Sequence, residues 1–202
     1  MEDYYYTIEQ AIRAPELKVK GSRFIADLIP VRTKEEIEEA LRHLRKEYYD
    51  ATHHCFAYRL GKGGLLVRAA DDGEPSGTAG KPILLVLTSQ KLVNVLLIVT
   101  RYYGGTKLGT GGLARAYAES AQQAVSLAKI VRVYQTEHLH LRVMYEDLAP
   151  LEQVLHSMEA EIANSTYLDS VSLEVNVRHS KVEALLHAIT DGFRGRVEVD
   201  RR

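Results

Sequence analysis

The chain has 202 residues, 46% of them hydrophobic, with 26 Lys and Arg against 27 Asp and Glu. That length buries a core in one large or two small domains without covalent staples, and the lone cysteine, Cys55, excludes a disulfide framework or a thiolate zinc site within one chain. No apolar run approaches the roughly 20 residues of a membrane helix, and MEDYYYTIEQ lacks the basic and apolar regions of a secretory signal, so a soluble cytoplasmic protein with no membrane partner is expected.

Lys18 to Val31 reads as extended, with Phe24, Ala26 and Leu28 alternating against Ile25, Asp27 and Ile29. Thr33 then opens a helix, with Glu36 at the third position of a capping box. Its apolar stripe is Ile37, Ala40, Leu41 and Leu44, and it ends near Tyr49. A hairpin follows, His53–Leu60 and Leu65–Ala70 about the turn Gly61-Lys62-Gly63-Gly64. Residues 71–80 form a loop, and Lys81-Pro82 begins a short helical run to Ser89. Val93–Thr100 is apolar throughout apart from Asn94 and is expected as a central strand covered on both faces. A glycine-dense loop leads into a helix from Gly111 to Ala128.

The remainder reads strand (Glu137–Tyr145), helix (Leu148–Met158), strands (Ala160–Leu168 and Val171–Val177), helix (Val182–Ile189) and closing strand (Arg196–Val199). That order is the ferredoxin-like βαββαβ pattern. The fold class is therefore α+β with two domains, 1–135 and 136–202. The first holds 19 Lys and Arg against 15 Asp and Glu, the second 7 against 12. Neither carries the dense basic stripe of a strong duplex-DNA binder.

Three segments carry chemistry. Arg101 to Tyr117 contains five of the 14 glycines, within Gly104–Gly112, between a strand and a helix. Glycine lets backbone N–H groups approach a ligand, and a helix N-terminus adds free donors and partial positive charge, so an anion is the expected guest. Arg101, Lys107 and Arg115 would supply full charges. A tight strand-to-helix turn explains the glycines equally well. A phosphate-binding P-loop fails because Lys107 follows Thr106 rather than the last glycine. Gly109-Thr110-Gly111-Gly112-Leu113-Ala114 fits G-x-G-x-x-A, but it stands too far from the strand and lacks the later acidic residue of a dinucleotide site.

The second segment, Asp71-Asp72-Gly73-Glu74-Pro75-Ser76-Gly77-Thr78-Ala79-Gly80, offers Asp71, Asp72 and Glu74 as a candidate acidic or metal site for a hard cation such as Mg²⁺. The plainer reading is a turn in which Ser76 or Thr78 caps the next helix. The third, His53-His54-Cys55, alternates across a strand, so its side chains do not converge on one ion.

The two cassettes DDGEPSGTAGKP and TRYYGGTKLGTGGLARAY, in this order and with Lys20-Gly21-Ser22-Arg23-Phe24-Ile25-Ala26 and His53–Tyr58, resemble the signature of the Impact/YigZ family over essentially the whole chain. The resemblance implies an N-terminal domain similar to the second domain of ribosomal protein S5 and a ferredoxin-like C-terminal domain similar to those of elongation factor G. It also implies a surface comprising Asp71, Asp72, Glu74, Ser76, Thr78, Arg101, Tyr102, Gly104, Gly105, Lys107, Gly109 and Arg115. Tyr103 stands where relatives often have Phe. Eukaryotic Impact proteins regulate translation initiation through a partner that involves an extra N-terminal RWD domain, which is not seen in this sequence. The expectation is an RNA- or ribosome-associated translation factor that binds phosphates through the glycine cassettes, with Tyr102 stacking or flanking. The carboxylates fit phosphate poorly. They support a rival, an enzyme acting on an anionic small molecule with Mg²⁺. A third reading is a protein-docking module whose acidic C-terminal domain binds a basic partner.

Overall fold

The computed structural model describes residues 3–201, apart from the side chain of Lys62. The terminal residues 1, 2 and 202, which the sequence reading assigns to the two domains, lie outside it. The described residues form two compact units that divide at Tyr4/Tyr5 and Val133/Tyr134, so that Tyr4 and Tyr134, the outer ends of β1 and β8, are counted with the second unit while the rest of those two strands belongs to the first.

The first unit contains β1 (Tyr4–Ile8), β2 (Ile12–Arg13), β3 (Leu17–Val19), β4 (Ser22–Pro30), α1 (Lys34–Glu47), β5 (His53–Leu60), β6 (Leu66–Ala70), α2 (Gly80–Ser89), β7 (Val95–Tyr102), α3 (Gly109–Leu127) and β8 (Ile130–Tyr134). Its main sheet runs β2-β4-β7-β5-β6, with β3 paired to β4. The pairings of β4 and β5 with β7 are both antiparallel. β7 is the centre, as its unbroken apolar character predicts. Val95, Leu97 and Val99 join the core beneath α2 and α3, while Leu96 and Ile98 join a second core with Ile37 and Leu44 of α1. All five of these β7 side chains are fully buried, each contributing about 1.5–3 kcal/mol of hydrophobic stabilisation.

Helix α1 starts where its capping box places it. Thr33 is extended (φ −132°, ψ 166°) and its side-chain oxygen accepts from the Glu36 N–H at 3.2 Å. The Glu36 carboxylate accepts in return from the Arg32 N–H at 2.6 Å, one residue before the expected partner. Glu35 and Glu36 in the first turn and Arg45 and Lys46 in the last oppose the helix dipole with the favourable sign. Helix α3 spans Gly109–Leu127, starting two residues earlier than expected; Gly109 itself is left-handed (φ +72°), so this first position admits glycine without strain and turns the chain into the helix.

β1 and β8 form a two-stranded sheet that the sequence reading did not identify. Residues 130–134 carry no strand expectation from sequence, and their strand character depends on pairing with a segment far away in sequence.

The second unit contains β9 (Thr136–Val143), α4 (Tyr145–Ser157), β10 (Glu161–Tyr167), β11 (Val171–Arg178), α5 (Val182–Phe193) and β12 (Glu198–Arg201). The sheet order is β10-β11-β9-β12, with all neighbours antiparallel. This is the ferredoxin-like arrangement expected from the element order. Leu139, Leu141 and Val143 alternate into its core with Val171, Leu173, Val175 and Val177, under Leu151, Leu155, Leu185 and Ile189 of the helices. The closing strand starts at Glu198 rather than Arg196, because Arg194 (φ +50°) and Gly195 (φ +85°) first turn the chain out of α5.

Candidate functional site

The two glycine cassettes meet at the end of β7. Register places Phe24 of β4 and His53 of β5 on either side of Arg101. Since Val95, Leu97 and Val99 point toward α2 and α3, the same alternation carries Arg101 to that side. There it is 4% exposed. Its Nη1 donates to Glu74 Oε1 at 2.6 Å and its Nη2 to Ser22 Oγ at 3.1 Å. Its guanidinium lies 5.5 Å from the Phe24 ring centre and 5.4 Å from that of Tyr103. Arg101, expected as a phosphate contact, is thus engaged in a buried ion pair. Only its Nε lacks a hydrogen-bond partner among the described residues.

Glu74 is the hub of this cluster. Its Oε1 also accepts from the Tyr117 hydroxyl at 2.8 Å, and His53 Nε2 stands 3.8 Å away. His53 Nδ1 lies 2.8 Å from the Asp72 carbonyl oxygen, which as an acceptor fixes the proton on Nδ1. The Cys55 thiol lies 3.0 Å from the Asp71 carbonyl and 3.3 Å from Tyr117 Oη. Burial, reinforced by neighbouring Glu74, Asp72 and Asp71, pushes the thiol up to about 12 against a lowering bond from Tyr117. It therefore stays protonated and non-nucleophilic. Burial, with Cys55 and Glu74, likewise raises the Tyr117 hydroxyl well above its ordinary value.

The other two carboxylates are engaged separately. Asp71 Oδ1 accepts from the Ala79 and Gly80 N–H groups at 3.0 and 2.8 Å, and Oδ2 from Gly77 N–H at 2.8 Å. Asp71 therefore caps α2 from across the loop. The expected cap does not form: the Thr78 hydroxyl donates to the Pro75 carbonyl at 2.6 Å, and Ser76 is exposed. Burial works to raise the Asp71 carboxyl, but the three N–H bonds outweigh it and hold the group below its usual range. Asp72 accepts from the His54 N–H at 2.7 Å and from Arg45 at 3.0 Å. Among the described residues no group of three or more His, Cys, Asp or Glu side chains is arranged to hold a metal ion.

The glycines of the second cassette divide by function. A Cβ on Gly104 would lie 1.9 Å from the Gly21 carbonyl carbon, so this position needs glycine for backbone packing. Gly105 (φ +84°), Gly109 (φ +72°) and Gly111 face open space. Lys107 is exposed between them, and Arg115 is exposed one turn into α3 with its Nε donating to the Gly111 carbonyl at 3.2 Å. The first turn of α3 has no side-chain cap and no acidic residue. Its N–H groups and dipole therefore face a region with two cationic side chains. Tyr102 is half-buried, with Arg23 over its ring at 4.3 Å and its hydroxyl donating to Asp50 at 2.9 Å. One face of that ring is taken.

The buried partners Ser22 and Tyr117 are not among the site residues expected from sequence, and the part-buried His53 was weighed only with His54 and Cys55 rather than with Arg101 and Glu74. The positions of Phe24, His53 and Arg101 in register on three adjacent strands would have been the signal, and register is not written in any one of those segments.

The arrangement can be set against known proteins. The Impact N-terminal domain matches residues 20–125, which include both cassettes, and a domain of unknown function (DUF1949) matches residues 141–196. The chain belongs to the IMPACT family. Similar members include the IMPACT family member YvyE of Bacillus subtilis, 34% identical over 96% of this chain and 89% of that protein. YigZ of Escherichia coli is 34% identical over 90% of each. The IMPACT protein of Oryctolagus cuniculus is 38% identical across 45% of this chain and 29% of its own length. A solved structure described as a crystal structure of an hypothetical protein superposes with a TM-score of 0.70 at 31% identity, covering 98% of this chain and 97% of that one. No helix among the described residues of this family member is long and apolar enough to cross a membrane.

Proposed function

We propose that this IMPACT family member is an RNA- or ribosome-associated factor of the translation machinery, and that the surface around Gly105, Lys107, Gly109, Gly111 and Arg115 takes its phosphates. The observation that supports this reading is the uncapped start of α3, with open glycine backbone before it and two exposed cations beside it. Such a terminus offers N–H donors and a dipole of the sign an anion needs. The carboxylates, which fit phosphate poorly, have other partners. Asp71 caps α2, Asp72 pairs with Arg45, and Glu74 pairs with Arg101. Arg101 acts in this reading as the support that holds β7 and the acidic loop together, while Lys107 and Arg115 make the contacts.

The test is equilibrium binding of the nucleic-acid-free protein to ribosomal subunits and to short single-stranded RNA across a salt series. Each phosphate contact contributes a slope of about −0.7 in log affinity against log salt on single strands. Lys107→Ala should lower the slope by about one contact and leave the folded state unchanged. Absence of binding at low salt would instead favour an enzyme acting on a phosphorylated small molecule, with Mg²⁺ as the ion to supply. An unchanged slope in the variant would remove Lys107 from the surface.

A further inference from the structure

On the other side of the main sheet from the glycine cassettes, a cavity of about 590 Å³ opens between α1 and the β2–β4 edge. That volume falls within the range of small-molecule sites, about 300–1,000 Å³. Ile12, Ile29, Val31, Ala40 and Leu44 give it apolar walls, and Asp27, Glu36 and Glu39 give it carboxylates. Asp27 is an acid in the middle of β4, with its side chain 8% exposed. Oδ1 accepts from Arg13 Nε at 2.7 Å, but the rest of that guanidinium turns away to Glu47, at 2.7 and 3.0 Å. Oδ2 is buried and has no hydrogen-bond partner among the described residues. Burial therefore raises the Asp27 carboxyl despite Arg13. Glu39 makes no ion pair among the described residues, and on the walls Arg13 and the titratable His43, both turned to Glu47, stand against three carboxylates.

A buried carboxylate oxygen without a donor is costly, and it is relieved by a charged N–H group brought in with an apolar body that fills the space. We propose that this cavity binds a small aliphatic primary amine, its ammonium directed to Asp27 and Glu39 and its methylene chain against Ile12, Ile29, Val31 and Ala40. The cavity volume favours a whole small molecule over the tip of one side chain, so a free amine is the ligand class.

Isothermal titration with 1,6-diaminohexane at low ionic strength tests this, with 1,6-hexanediol and N-acetyl-lysine methylamide as comparison ligands. The diamine should bind about tenfold or more tightly than the diol, because the diol lacks the charged hydrogen bond. Asp27→Asn should weaken the diamine by about tenfold or more, and Glu39→Lys, on the exposed face of α1, by a few-fold. Circular dichroism and thermal unfolding establish that each variant is folded; if Asp27→Asn is not, Glu39→Lys decides. Equal binding of diol and diamine, no binding of the diamine, or an affinity unchanged in folded variants would overturn the proposal. Binding of the lysine analogue alone would assign the cavity to a side chain of a partner protein and overturn the free-amine reading.

Discussion

Glu74 shows how one side chain can decide what its neighbours do. With its side chain 4% exposed, it accepts from both Arg101 and Tyr117. Removing it would leave the Arg101 guanidinium buried with only Ser22 and two aromatic faces as company. Breaking one partner of a buried pair is far more damaging than replacing both, because the remaining charge keeps its desolvation penalty. Glu74→Leu should therefore destabilise the first unit by about 3–5 kcal/mol. Adding Arg101→Met should recover a large part of that loss in equilibrium urea unfolding. A double variant no more stable than the single one would mean that packing, not the unpaired charge, sets the cost.

The N-terminus of α2 is completed by Asp71, a residue eight positions before Ala79. Loss of a cap costs about 0.5–2 kcal/mol, and Asp71→Ala leaves three N–H donors without their acceptor, so the upper end is expected. The carboxyl sits below its usual range in the fold. Its stabilisation is therefore present above the unfolded value of about 3.9 and is lost as pH falls through the lower folded value. The stability gap between wild type and variant should be flat from pH 5 to 8 and should shrink below pH 4; a gap that widens in acid would contradict the assignment. This cap also marks where sequence reading stops. The Thr33–Glu36 capping box was legible because both partners lie within one turn. The central place of β7 was legible because Val95–Val99 is apolar on both faces. By contrast, Asp71 reaches its helix across a loop, Glu74 finds Arg101 only when the loop after β6 folds over the end of β7, and β1 and β8 become strands by pairing with each other. Local chemistry was readable in these residues; partners brought together by register were not. The same limit explains why Arg101 looked like a ligand-facing cation.

The two units differ in how their stability is assembled. Among the described residues, the buried apolar side chains fall into three clusters: two lie on the main sheet, running from Ile8 to Val125 and from Val31 to Ile98, and the third, from Leu139 to Val197, lies on the ferredoxin-like sheet. Each sheet thus has its own apolar support, and cooperative opening follows the contacts that bury it. Leu141 is fully buried at the middle of β9, opposite Leu173 of β11 and Val199 of β12. Leu141→Ala should cost about 2.7–5 kcal/mol through lost transfer energy and the cavity left behind. Native-state hydrogen exchange locates that cost: amides of β9 and β11 should lose protection, while those of β4, β5 and β7 keep theirs. Equal loss of protection in β7 would show that the cores unfold as one cooperative body. Retention in β7 would mean that the ferredoxin-like unit can open while the sheet carrying Arg101, Glu74 and the start of α3 remains intact, leaving the proposed phosphate surface independent of it.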